Sequence, residues 1–163
     1  MPYKIYYDQV ATGTSNTEHT FFAHNEADDG ETVTNLATDN QLPENVRIQR
    51  IEFIPAQDIT QADALKLTES AIIKVIVGTN EVLKFPAALA FSDNHVRIDE
   101  YVEAGSTGTT ASEYAVCMST LGGLELPEPI EVPANTKFNI KLVCGSAFGT
   151  DTNLTMVIHC ITA

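Results

Sequence analysis

The chain has 163 residues, with 22 Asp or Glu against 9 Lys or Arg, so its formal charge is -13. That length predicts one domain over residues 1–163 with a hydrophobic core of its own. The acidic balance excludes binding of DNA or RNA through phosphates, because 9 scattered cations in a negative field cannot supply the counterion release that drives it.

Apolar residues recur mostly at period two, in short runs between clusters of Gly, Pro, Asn, Asp and Thr, which predicts a mainly β chain. Tyr3 to Val10 reads as a first strand and His19 to Ala23 as a short second one. The polar, acidic stretch from Asn25 to Gln41 reads as a loop. Val46 to Pro55 is a strand whose phase changes midway. Val46 and Ile48 share one parity, Ile51 and Phe53 the other, so Gln49-Arg50 marks a bulge. Thr60-Gln61-Ala62-Asp63 resembles an N-cap with an acidic first turn and is followed by Ala64, Leu65 and Leu67, which predicts one or two turns of helix.

Ala71 to Val77 carries Lys74 among apolar residues and predicts a central strand buried on both faces. Gly78-Thr79-Asn80-Glu81 turns it into Val82 to Phe85, and Pro86 ends the pairing. Val96 to Val102 is a further strand, Ala104 to Ser112 a mobile loop without apolar pattern, and Glu113 to Ser119 strand again. Leu121-Gly122-Gly123-Leu124 breaks that strand, and Pro127, Pro129 and Pro133 predict a semi-rigid connection around Ile130-Glu131-Val132. The last two strands alternate well. Phe138, Ile140, Leu142 and Cys144 share one face; Leu154, Met156, Ile158 and Cys160 share the equivalent one, across a compact loop from Gly145 to Asn153 around Phe148. About eight strands with several long connections predict an all-β fold, a single jelly roll (a Greek-key β-sandwich) with at most one or two short helices.

No arrangement in the chain identifies an enzyme. There is no Gly-x-Ser-x-Gly, Cys117, Cys144 and Cys160 sit in apolar segments, and His159 points to the sheet face opposite Cys160. His19 and His24 lie near Glu26, Asp28, Asp29 and Glu31, but the spacing fits neither a calcium-binding loop nor a zinc helix, so a solvated acidic loop is expected there, with no metal and no cofactor. Asn153-Leu154-Thr155 matches a glycosylation sequon and is read as chance. The first residues lack the apolar region of a signal peptide, and nowhere do 18 uncharged apolar residues run together, so neither export by the general secretory route nor direct membrane insertion is expected. Tyr3, Ile5, Tyr6 and Tyr7 form a terminal strand on a tether running from Ala11 to Thr17. They are the candidate subunit interface; the alternative is an ordinary edge strand of the same subunit.

The segment Leu124 to Ile140, with Pro129-Ile130-Glu131-Val132-Pro133-Ala134-Asn135-Thr136-Lys137-Phe138 at its centre, resembles strand entries in jelly-roll capsid proteins of tailless icosahedral bacteriophages, where a Pro-Ile-x-Val-Pro-Ala-x-Thr-x-Phe type run leads into a late strand. Val46 to Phe53 and the Ile72 to Phe85 hairpin are similar to earlier strands of that roll. The resemblance implies a non-enzymatic virion coat subunit of the single β-barrel type, made in the host cytoplasm. It further implies assembly with copies of itself, the capsomer being completed either by homo-oligomers or by a second coat protein. The alternative is a decoration or spike-base protein, or a carbohydrate-binding sandwich, recognising its ligand through Ala104 to Ser112 and Gly145 to Asn153.

Overall fold

The computed structural model describes residues 2–56, 58–92 and 122–162, and the strand pairing of 96–102 and 110–116. Its strands are β1 (Tyr3–Ala11), β2 (Glu18–Phe21), β3 (Val46–Pro55), β4 (Ile72–Val77), β5 (Asn80–Pro86), β6 (Val96–Val102), β7 (Thr110–Val116), β8 (Leu124–Val132), β9 (Phe138–Val143) and β10 (Asn153–Thr162). Among the described residues there are also two short helices, α1 (Glu26–Asp29) and α2 (Gln61–Glu69), and a 3-10 turn at Ala87–Ala90. The strands form two four-stranded antiparallel sheets, ordered β1-β10-β3-β8 and β2-β9-β4-β5, while β6 and β7 pair with each other. The fold is therefore an all-β sandwich. Its pairings are nested: β4 with β5 innermost, then β3 with β8, β2 with β9, and β1 with β10 outermost.

The core lies between the sheets. Both expected alternations fill it: Phe138, Ile140, Leu142 and Cys144 from β9 and its C-terminal flank, and Leu154, Met156, Ile158 and Cys160 from β10, are all buried. On β3 the expected bulge falls at Gln49, because Arg50 stands opposite His159 while Ile48 stands opposite Cys160. The extra residue resets the parity, so Val46 and Ile48 before it and Ile51 and Phe53 after it all reach the core. Gly123 lets the start of β8 lie directly on β3: its φ is 84°, and a Cβ there would run into the carbonyl oxygen of Ile51.

Four expectations are corrected. β4 is central, between β9 and β5, but only Ile73 and Val75 are fully buried while Ile72, Lys74 and Ile76 are half-buried. An antiparallel sheet needs to cover only one face, so a nearly continuous apolar run does not imply burial on both. β8 replaces the expected proline-rich connection. Its ladder with β3 is interrupted between Glu125, opposite Arg50, and Ile130, opposite Ile48. Pro127 and Pro129 fall in that interruption on an edge strand, where a missing N–H breaks no ladder bond. β2 stops at Phe21 rather than Ala23, since Phe22 takes a left-handed φ of 64°. β7 begins at Thr110, so the end of the expected Ala104 to Ser112 loop is strand; residues 104–109 and 117–119, Cys117 among them, lie outside the described residues.

The helix at Thr60 is present and runs for 9 residues. The Thr60 hydroxyl oxygen accepts the Asp63 N–H at 3.3 Å, which satisfies one of the free amides of the first turn. Asp63, 1% exposed, accepts from the Thr60 hydroxyl at 3.0 Å, Lys66 Nζ at 2.8 Å, and the backbone amides of Gly149 at 2.8 Å and Thr150 at 3.1 Å. One carboxylate thus ties α2 to the loop that carries buried Phe148 between β9 and β10. Burial pushes this carboxyl up, but the donors outweigh it and hold the group below the usual carboxylate range.

Two outcomes follow from the core and this latch. Val75→Asp places an unpaired carboxylate at a position with no exposure, at a cost of several kcal/mol, and should abolish soluble folded protein; normal yield and melting would show the core to be elsewhere. Asp63→Asn should cost roughly 2–3 kcal/mol in urea unfolding at neutral pH. Because the folded-state pKa is depressed, the native latch is complete above about pH 4 and is lost as pH falls through the folded value, so the gap between variant and native chain should close in acid.

Candidate functional site

β1 sorts the four candidate interface residues by parity. Tyr3 and Ile5, 54% and 45% exposed, and half-buried Tyr7 share the outer face of the sheet, whereas Tyr6 points into the sandwich at 6% exposure. The Tyr6 hydroxyl donates to Glu44 Oε1 at 3.2 Å, and burial followed by that carboxylate pushes the phenol up from its ordinary range. Tyr6 is a core residue; the other three remain together at the surface. β1 pairs along its whole length with β10 of the same chain, from Tyr3 opposite Ile161 to Ala11 opposite Asn153.

The free edge of β1 is closed by residues 33–35. Val33 O accepts the Gln9 N–H at 2.8 Å and the Asn35 N–H donates to Tyr7 O at 3.3 Å. The Asn35 side chain completes the row, its Oδ1 accepting from the Tyr7 N–H and its Nδ2 donating to Ile5 O, both at 2.9 Å. A side-chain amide stands here where the peptide of a further strand would stand. A neighbour cannot extend the sheet along Ile5 to Gln9 without displacing residues 33–35, so contact with another molecule at β1 falls to its outer face.

On that face the structure assembles a polar cluster from three strands. His159 of β10 is 7% exposed, and its Nδ1 lies against the Tyr3 hydroxyl. Its Nε2 is 3.2 Å from Glu52 Oε2, and Arg50 Nη2 lies 3.3 and 3.2 Å from its two ring nitrogens. Arg50 also reaches Glu52 at 3.4 Å. Tyr3, Gln49, Arg50, Glu125 and His159 line an open depression of about 210 Å³. The sequence places His159 on the face opposite Cys160, as observed, but does not bring Arg50 and Glu52 to it. The usable signal is the bulge at Gln49, which puts Arg50 and Glu52 in step with His159.

A second cluster holds the 22–40 segment to β1. Asp8 has no exposure; its Oδ2 accepts the Phe22 N–H and its Oδ1 lies 2.7 Å from His24 Nε2, with Asp29 Oδ2 at 3.6 Å from the same nitrogen. His24 and Asp29 are acidic-loop residues of the sequence reading, and Asp8 is the partner it misses. An Asp on the same parity as Tyr6 and Val10 is the signal that would have found it. Burial pushes the Asp8 carboxyl up to about 6, against the lowering pull of the Phe22 amide and His24.

Neither cluster contains an activated nucleophile. Burial pushes the Cys144 thiol up to about 11 and the Cys160 thiol up to about 12, so both are protonated at neutral pH. His19, inside the sandwich with its ring edge-on to Phe148, is held below the usual imidazole range by burial, and its Nε2 has no hydrogen-bond partner. Among the described residues no group of three or more His, Cys, Asp or Glu could hold a metal ion, and no helix is long and apolar enough to cross a membrane. The arrangement offers an aromatic and arginine-bearing surface, the composition that recurs at protein contacts.

Asp8 gives a pH test of the second cluster. A carboxyl whose folded pKa is raised contributes most below about pH 4, and that contribution is lost as pH rises through about 6. Asp8→Asn does not titrate, so its stability relative to the native chain should improve between about pH 4.5 and about pH 7.5; paired urea titrations showing no change, or the opposite trend, would mean that His24 keeps the carboxylate fully compensated. Comparison with protein-family models, with curated proteins and with solved structures finds no match for this chain.

Proposed function

We propose that this chain is a non-catalytic structural protein, a coat subunit of a virion, that works through contacts with copies of itself, alone or together with a second coat protein. The observation that carries the reading is the nested pairing order. Counted along the chain, the eight sandwich strands pair first with last, second with seventh, third with sixth and fourth with fifth. That is the order produced when one long antiparallel ribbon is rolled up, and it supports the jelly-roll reading over a meander or an up-and-down barrel. Fold alone does not assign function. The added support is the Pro129 to Phe138 resemblance, the mixed aromatic and charged outer face, and the protonated, buried state of the two described thiols.

Assembly of such a chain is opposed by its charge. Each copy carries -13, so self-association should strengthen as added salt shortens the Debye length from about 10 Å at 0.1 M to about 3 Å at 1 M. Light scattering and negative-stain imaging of purified protein across that salt range should show oligomers or particles that grow with salt; a strict monomer under every condition would overturn the reading.

A further inference from the structure

We propose that the outer face of the β1-β10-β3-β8 sheet is the surface on which a second copy of this chain docks. The proposal rests on the reading of the chain as an assembling subunit and names the surface that reading lacks. Among the described residues six large apolar side chains are exposed, and three of them, Tyr3, Ile5 and Ile54, belong to this one face. The register places Tyr7, Val157 and Ile161 beside them, so the apolar positions run across β1, β10 and β3 around the His159 cluster.

Charge selects the occupant. The same face presents Arg47 and Arg50 against Glu52, Glu125 and Glu131, with Arg47 paired to Glu131 at 3.0 Å and Arg50 to Glu52 at 3.4 Å. It is nearly balanced on a molecule of formal charge -13. A basic partner would be drawn to the acidic segment Glu26 to Glu31. A second copy, itself acidic, meets least repulsion on the balanced face, where its own arginines can lie against glutamates of the other copy. The size is adequate as well. Four strands about 4.8 Å apart and nine residues at about 3.3 Å each give a face of roughly 19 by 30 Å, which once side-chain relief is included approaches the ~800 Å² per partner of a stable contact. The closed edge of β1 points the same way, since Val33 and Asn35 leave the face rather than the edge for contact.

Sedimentation equilibrium on the native chain and on separate Ile5→Lys and Ile54→Lys variants tests this, with Val82→Lys on β5 as control. Each variant lowers the net negative charge by one, which by itself favours association. The expected result is therefore distinctive: Ile5→Lys and Ile54→Lys weaken association by about tenfold or more, while Val82→Lys leaves it unchanged or slightly stronger. If the native chain associates and neither face variant weakens it, the face is overturned while the assembly reading stands. If the native chain never associates, both fall. Should a face variant melt early, hydrogen exchange on the native chain decides. Slowing on association within Tyr3 to Tyr7 and Glu52 to Ile54 is expected, and unchanged exchange there overturns the proposal.

Discussion

The structure depends on β10 lying between β1 and β3. Among the described residues this last strand alone joins β1 to the rest of its sheet, over nine paired positions on one side and nine on the other. Leu154, Met156, Ile158 and Cys160 point from it into the core and have no exposure, while Val157 and His159 are nearly covered even on the outer side because neighbours flank them on both edges. The chain ends are thereby locked together by the outermost of the nested pairs. Such long-range pairing is entropically expensive to close, whereas the β4–β5 hairpin at the centre of the nest closes around a two-residue turn at Gly78 and Thr79.

Once the ends are joined, the sandwich has edges and outer faces to manage. β1 is closed by Val33 and the Asn35 amide, and β8 is interrupted at Pro127 and Pro129, both of which discourage addition of a foreign strand. β2 is only 4 residues long and is ended by the left-handed turn at Phe22. The same devices that prevent open-ended sheet growth leave faces as the natural place for specific, closed contacts between subunits. In this molecule the face with exposed Tyr3, Ile5 and Ile54 also carries its charges in opposed pairs.

Two carboxylates show how depth of burial and local donors together set the outcome. Asp8 and Asp63 are both almost fully buried, yet one is held above the usual range and the other below it. Asp63 receives two backbone amides, a hydroxyl and the Lys66 ammonium, enough to outweigh desolvation. Asp8 receives the Phe22 amide, the His24 imidazole and the Thr34 side chain, yet it is set deeper in the protein and desolvation wins. Each fastens a long excursion to the sandwich: Asp63 the loop around Phe148, Asp8 the segment from Phe22 to Thr34 that shields the β1 edge.

Local patterning was enough to read β3 with its bulge, the capped helix at Thr60, the β4–β5 hairpin and the inward faces of β9 and β10. Each of these is decided within about ten residues by side-chain period, a cap or a turn. The separation of His159 from Cys160 was legible in the same way, whereas Tyr6, grouped with Tyr3, Ile5 and Tyr7 as a contact residue, turned out to point into the core. What a period of two cannot say is which strand lies alongside, because alternation assigns a face and not a neighbour. The Pro-rich β8 therefore read as a connection, since only an edge position beside β3 makes its prolines harmless, and β4 read as buried on both sides, since only the sheet order reveals how much covers it. The His159, Arg50 and Glu52 cluster, the Asp8 and His24 pair and the Asn35 closure all join residues far apart in sequence. They exist because tertiary pairing brings strands into register, and no local preference in the chain encodes that distance.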